Sequence, residues 1–180
     1  MEGLRFTAAF VLLLPYLAGC SITPTREYDS AEEGITFGTL PSHWHVSRDQ
    51  ELKKLGTNFA AQNEKSNSYL AVNSLCNRYP NTKLRGLMRQ LTQSFEGKTS
   101  EQDDTGVVDG REALFSKVRG KLDGVPVESL LVVFRKNDCI FDFMVHSPER
   151  LPAEDEEAFR AFVSAFHFNG HTSALSEAKD

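Results

Sequence analysis

Residues 111–147 read REALFSKVRGKL-DG-VPVESLLVVFRK-ND-CIFDFMVHS, three apolar-rich runs punctuated by two dipeptides. Asp123-Gly124, between the first two runs, is a strong hairpin signal. Asn137-Asp138 is a second turn pair. The runs are therefore read as three long antiparallel strands. In the third, Phe141, Phe143 and Val145 point one way, and Ile140 and Met144 point the other way around Asp142. Apolar residues on both faces imply a sheet covered on both sides.

The covers are legible on either flank. Downstream, residues from about Ala153 to Phe166 place Phe159, Phe162, Val163 and Phe166 on one helical stripe. Glu154, Asp155, Glu156 and Glu157 form an acidic first turn that complements the helix dipole. Upstream, Leu84, Leu87, Met88, Leu91 and Phe95 recur at spacings of three and four, with Thr82 at the N-cap position and Gly97 as the C-terminal stop. Earlier still, ITF (35–37) and HWHVS (43–47) are short strands separated by a Gly-Thr-Leu-Pro turn. LGTNFAAQN and SYLAVNSLC flank Glu-Lys-Ser-Asn as a hairpin, with Leu70, Val72, Ser74 and Cys76 sharing one face. The sum is an α+β fold: an antiparallel sheet of about six to seven strands flanked by two helices.

Residues 1–20, MEGLRFTAAFVLLLPYLAGC, have another character. A short n-region ends near Arg5, and an apolar run from Phe6 to Leu17 follows. The run is too short to cross a hydrocarbon core of roughly 30 Å as a helix, and suits the h-region of a signal peptide. Leu17-Ala18-Gly19-Cys20 looks like the lipobox of bacterial lipoproteins, in which small residues admit the peptidase and the Cys20 thiol takes the lipid. Glu2 departs from a purely positive n-region. The expected organisation is a signal peptide over 1–19, a lipidated Cys20 and flexible tether over 20–33, one domain over 34–169, and a flexible tail over 170–180. Ser21, where Asp favours inner-membrane retention, leans toward the outer membrane. The domain is expected on the periplasmic side of the cell envelope, with its membrane contact through the anchor.

Composition narrows the partners. The chain has 180 residues, 25% charged and 40% hydrophobic, with a formal net charge of −5. A mildly acidic domain without clustered Lys and Arg has no electrostatic reason to seek nucleic acid. With Cys20 acylated, Cys76 and Cys139 remain, an even number in an oxidising compartment. They lie at the end of one predicted strand and the start of another, ends that can be neighbours in antiparallel order. A disulfide between them is expected, with two separately buried thiols as the alternative.

Candidates for chemistry are sparse. His43 and His45 flank Trp44, and on a strand both imidazoles would point the same way, as two ligands of one metal could. A third ligand, His146 or Asp142, is distant in sequence, and a surface His pair beside a core Trp accounts for the motif. His167 and His171 read as helix-end and tail residues. The acidic run 154–157 needs no catalytic explanation. No serine lies in Gly-x-Ser-x-Gly, and there is no phosphate-binding glycine loop. Lys117 to Lys121 alternates around Val118 as the solvated side of a strand. The chain has 13 phenylalanines, and those of the expected domain fall on core stripes. No cofactor is expected.

The order of these pieces resembles the fold shared by the photosystem II extrinsic P-subunit (PsbP-like) family, the Ran-binding Mog protein and DcrB-type bacterial lipoproteins. The features that carry the resemblance are Pro41-x-x-Trp44, a hairpin and a helix. After them come Val108-Asp109-Gly110-Arg111-Glu112-Ala113, a long meander, and a last helix ending in Ser164-Ala165-Phe166. The resemblance covers about 34–169. It implies a PsbP/Mog-like sandwich and a binding or assembly accessory role rather than catalysis; with the lipobox and the absence of a catalytic site, a non-enzymatic envelope module with an envelope protein as partner is expected. The alternative is a periplasmic carrier of a small molecule or metal.

Overall fold

The computed structural model describes residues 26–30, 34–48, 57–77 and 81–170. The signal peptide, Cys20 and His171 lie outside them. Among the described residues, ten strands and two helices follow in chain order: β1 Arg26–Ser30, β2 Ile35–Leu40, β3 Trp44–Val46, β4 Thr57–Asn63, β5 Tyr69–Cys76, α1 Leu84–Thr92, β6 Glu96–Val108, β7 Arg111–Leu122, β8 Val125–Lys136, β9 Cys139–Pro148, α2 Ala153–Ser164 and β10 His167–Phe168. Seven strands form the main sheet in the order β3-β4-β5-β9-β8-β7-β6, and β1-β2-β10 form a small second sheet. The α+β sandwich expected from the sequence is the fold observed.

Three two-residue loops build the meander. Asp109-Gly110, Asp123-Gly124 and Asn137-Asp138 all have positive φ, between 49° and 80°. That is the type I′ geometry whose twist matches the flanking strands. Register then aligns the side chains in rows. Val72, Phe143, Val132 and Phe115 are successive cross-strand partners, as are Leu70, Val145 and Leu130. These rows face α2 and β2 in one core containing Phe37, Phe59, Phe159, Phe162, Phe166 and Phe168. Leu114, Val118, Leu131, Val133 and Ile140 face the other way, against Leu87, Met88 and Phe95. Both faces of the meander are thus apolar because each is covered by a helix.

Several local expectations are corrected. Arg26–Ser30, assigned to the tether, pairs antiparallel with β2. Residues 96–108, too polar on both faces to read as a strand, form the long edge strand β6, where one side of the backbone and most side chains meet water. Gly97 therefore does not stop α1. It lies in β6 at φ 54°, where the register shifts between Glu96 and Ser100. The helix N-cap is Lys83, without a side-chain cap, and Thr82 precedes it. Gly38 is inside β2 rather than in a turn, and the turn falls at Pro41, whose carbonyl accepts from the Trp44 N–H at 3.0 Å. The reason is steric. A Cβ on Gly38 would lie 2.8 Å from the Phe162 Cα and carbonyl oxygen, so glycine is what lets β2 approach the backbone of α2.

Among the described residues, no helix is long and apolar enough to cross a membrane.

Candidate functional site

Cys76 and Cys139 are direct register partners on β5 and β9, and a disulfide joins them. The expectation of a bridge is met, with Cys139 fully buried. The bridge forms part of the floor of a cleft of about 440 Å³ lined by Asn77, Arg111, Arg135, Lys136, Asn137, Asp138, Cys139 and Ile140. The type I′ loop at 137–138 closes β8 onto β9 here. Asn77, also at positive φ (58°), donates its N–H to the Asp138 carbonyl at 3.0 Å.

One wall is fixed by Asp109. Its Oδ2 accepts from Lys136 Nζ at 2.5 Å and from the Phe168 backbone N–H at 2.8 Å. Its Oδ1 meets His167 Nδ1 at 2.8 Å, and His167 Nε2 meets Asn169 Oδ1 at 2.6 Å. Burial alone would raise the Asp109 pKa. The hydrogen bonds from Lys136, Phe168 and His167, with the lysine charge, outweigh burial and hold the carboxyl below its ordinary value. The motif Val108–Ala113 thus supplies a type I′ loop whose Asp ties the β6–β7 hairpin to β8 and β10. His167, read as a helix-end residue, belongs to this cluster. Arg111 has no hydrogen bond or ion pair to another described side chain.

The His pair does not assemble a metal centre. Strand β3 begins at Trp44, so His43 sits in the preceding turn, while His45 Nε2 meets Glu64 Oε1 at 3.0 Å. His146 is on β9, its Nδ1 2.6 Å from Ser129 Oγ, and Asp142 accepts from Asn73 Nδ2 at 3.1 Å. Burial pushes the His146 pKa down to about 4 and raises that of Asp142, the latter partly offset by Asn73. Among the described residues, no group of three His, Cys, Asp or Glu side chains could hold a metal ion.

The acidic first turn of α2 has a second use that sequence reasoning missed. Asp155 is fully buried and accepts from Asn63 Nδ2, Ser66 Oγ and Ser68 Oγ, each at 2.6 Å. These are hairpin-loop residues of β4–β5, so the carboxylate staples that hairpin to the helix. Glu156 takes Lys117 at 2.7 Å and Arg160 at 2.9 Å. Lys117 is therefore held against α2, where a simply solvated strand face was expected. Glu128 accepts from Arg119 at 2.7 Å and from the Leu151 N–H at 2.8 Å.

No family model matches the sequence, and no curated protein matches it. Solved structures do share its fold. The solution structure of cyanobacterial PsbP (CyanoP) from Synechocystis sp. PCC 6803 aligns with TM-score 0.55 at 15% identity, over 86% of this chain and 98% of that one. The Ran-binding protein Mog1p of Saccharomyces cerevisiae aligns with TM-score 0.55 at 16% identity, over 81% and 96%. A crystal structure from Bacteroides thetaiotaomicron aligns with TM-score 0.51 at 14% identity over 75% of this chain, which spans only 45% of that protein. The chain therefore has the PsbP/Mog1-like α+β fold, and the likeness is one of fold.

Proposed function

We propose that this protein is a lipid-anchored, non-enzymatic accessory module of the bacterial cell envelope, its domain on the periplasmic side, acting by binding. The observation that carries the reading is Leu17-Ala18-Gly19-Cys20 behind a twelve-residue apolar run, too short to span a bilayer. The fold supports it, since it is the fold of PsbP and of a Ran-binding protein. The titratable clusters also favour binding over catalysis. Asp109 and His167 are spent on tying three elements together, and Ser129, beside His146, is fully buried. Ser21 favours the outer membrane over the inner.

Metabolic labelling with a palmitate analogue tests the anchor. Wild type should take up label and fractionate with membranes, and Cys20→Ala should lose both. Label or salt-resistant membrane association surviving in Cys20→Ala would overturn it. In-cell crosslinking of the lipidated protein should then recover a stoichiometric envelope protein. The cleft beside the disulfide favours a second reading, a carrier of a small molecule. Saturable ligand binding without any recoverable partner would support that reading over the first.

A further inference from the structure

We propose that the cleft at the end of β8 and β9 is a binding site for an oxyanion, a carboxylate or phosphate carried by a ligand of small-molecule size. Three of its lining residues are cationic: Arg111, Arg135 and Lys136. Among the described residues that line it, Asp138 is the one carboxylate beside the three cations, in a chain of net charge −5. A basic pocket is therefore a local feature against an acidic background. Its volume falls within the usual range of ligand sites, roughly 300–1,000 Å³.

The chemistry of the lining suits an oxyanion. Arg111 offers a planar donor fork that fits carboxylate and phosphate in bidentate fashion. Lys136 is already held by Asp109, so its ammonium is positioned before any ligand arrives, which lowers the entropic cost of binding. Asn77 and Asn137 add neutral amide groups able to donate to the remaining oxygens. The disulfide at Cys139 and the type I′ loop at 137–138 fix the floor. A solvated surface arginine explains Arg111 alone. It does not explain three cations gathered with two amides around one concavity.

The binding assay is independent of the anchor, so its failure and that of the envelope reading are separable. Inorganic phosphate and glutarate are titrated, each alone, into the full chain in detergent at low salt, by calorimetry. The expected result is saturable one-to-one binding of at least one probe. Affinity should fall about tenfold in Arg111→Ala, the effect of losing one charge-assisted contact. Arg111→Lys should recover part of it, and Asp138→Asn should tighten binding. A preference for phosphate or for glutarate identifies which oxyanion the ligand carries. Cys20→Ala should bind as wild type does. Absence of binding by both probes overturns the proposal. So does binding that is unchanged in both Arg111→Ala and Arg135→Ala variants whose melting temperatures match wild type.

Discussion

The Asp155 carboxylate at the start of α2 lies 2.6 Å from the Asn63 amide, a contact buried on both sides and bridging 92 residues of sequence. With Ser66 and Ser68 it completes a network in which a buried charge is met by three donors. Such a charge is tolerated because every donor is matched, and removing the acceptor strands them all. Asp155→Ala should destabilise the domain by roughly 3 kcal/mol, and Asn63→Ala by about 1–2 kcal/mol. Urea denaturation with a double-mutant cycle checks this. Additive single effects would mean the two residues are not coupled.

The Cys76–Cys139 bridge closes a loop of 63 residues. Cys76→Ser with Cys139→Ser should cost up to about 4 kcal/mol in the chain-entropy model. Alkylating native protein without reductant should label neither cysteine, and after reduction under denaturing conditions both. Labelling of both in the native oxidised protein would disprove the bridge.

Acid should weaken the fold through His146. Burial holds its folded-state pKa at about 4, below its ordinary value of 6.5. Above pH 6.5 the ring is neutral in both states and contributes no pH dependence. Between 6.5 and 4 the unfolded chain takes up a proton that the folded one refuses. Stability then falls by about 1.4 kcal/mol per pH unit, roughly 3 kcal/mol in all. Asp142, its pKa raised mainly by burial, acts in the opposite sense, gaining stability as pH falls. Asp109 and Glu156, with lowered pKa values, lose their contribution only below the ordinary carboxylate range. Denaturation midpoints at pH 7.5 and 5 should therefore differ in wild type and differ much less in His146→Gln. Equal slopes in the two proteins would remove His146 from the account.

Gly38 is the position where β2 passes the backbone of α2. Gly38→Ala should cost about 1–3 kcal/mol by overpacking, because the obstructing atoms are mainly backbone of Phe162. A matching substitution at Gly110, where an added Cβ meets nothing within 4 Å, tests a different penalty, that of the positive φ alone. Melting temperatures of the two variants separate the causes.

Legibility in the sequence followed locality. Asp123-Gly124 and Asn137-Asp138 announced their turns because turn chemistry acts over two residues, and the rows through Phe141 and Phe143 followed from period two. The disulfide was inferable from an even cysteine count and strand ends. What escaped was long-range or backbone-driven. Strand β6 carries Lys98, Gln102, Asp103 and Asp104, and is a strand because β7 supplies hydrogen bonds along one edge. Strand β1 is polar for the same reason. Asp155 looked like a dipole residue because its partners lie 87–92 positions away. The cleft draws on Asn77, Arg111 and 135–140, which no spacing rule connects.

In the lipid-anchored form proposed above, strand β1 would shorten the leash. Were residues 21–33 free, Gly34 could wander about 45–50 Å from a lipidated Cys20; with 26–30 laid along β2, only the stretch to Arg26 remains, about 20 Å at full extension. Under that proposal the volume swept above the bilayer would shrink roughly fifteenfold, and the local concentration of the domain near its anchor would rise in proportion. If the proposed anchor and envelope partner hold, that partner would have to sit close to the bilayer, within reach of a domain on a short tie.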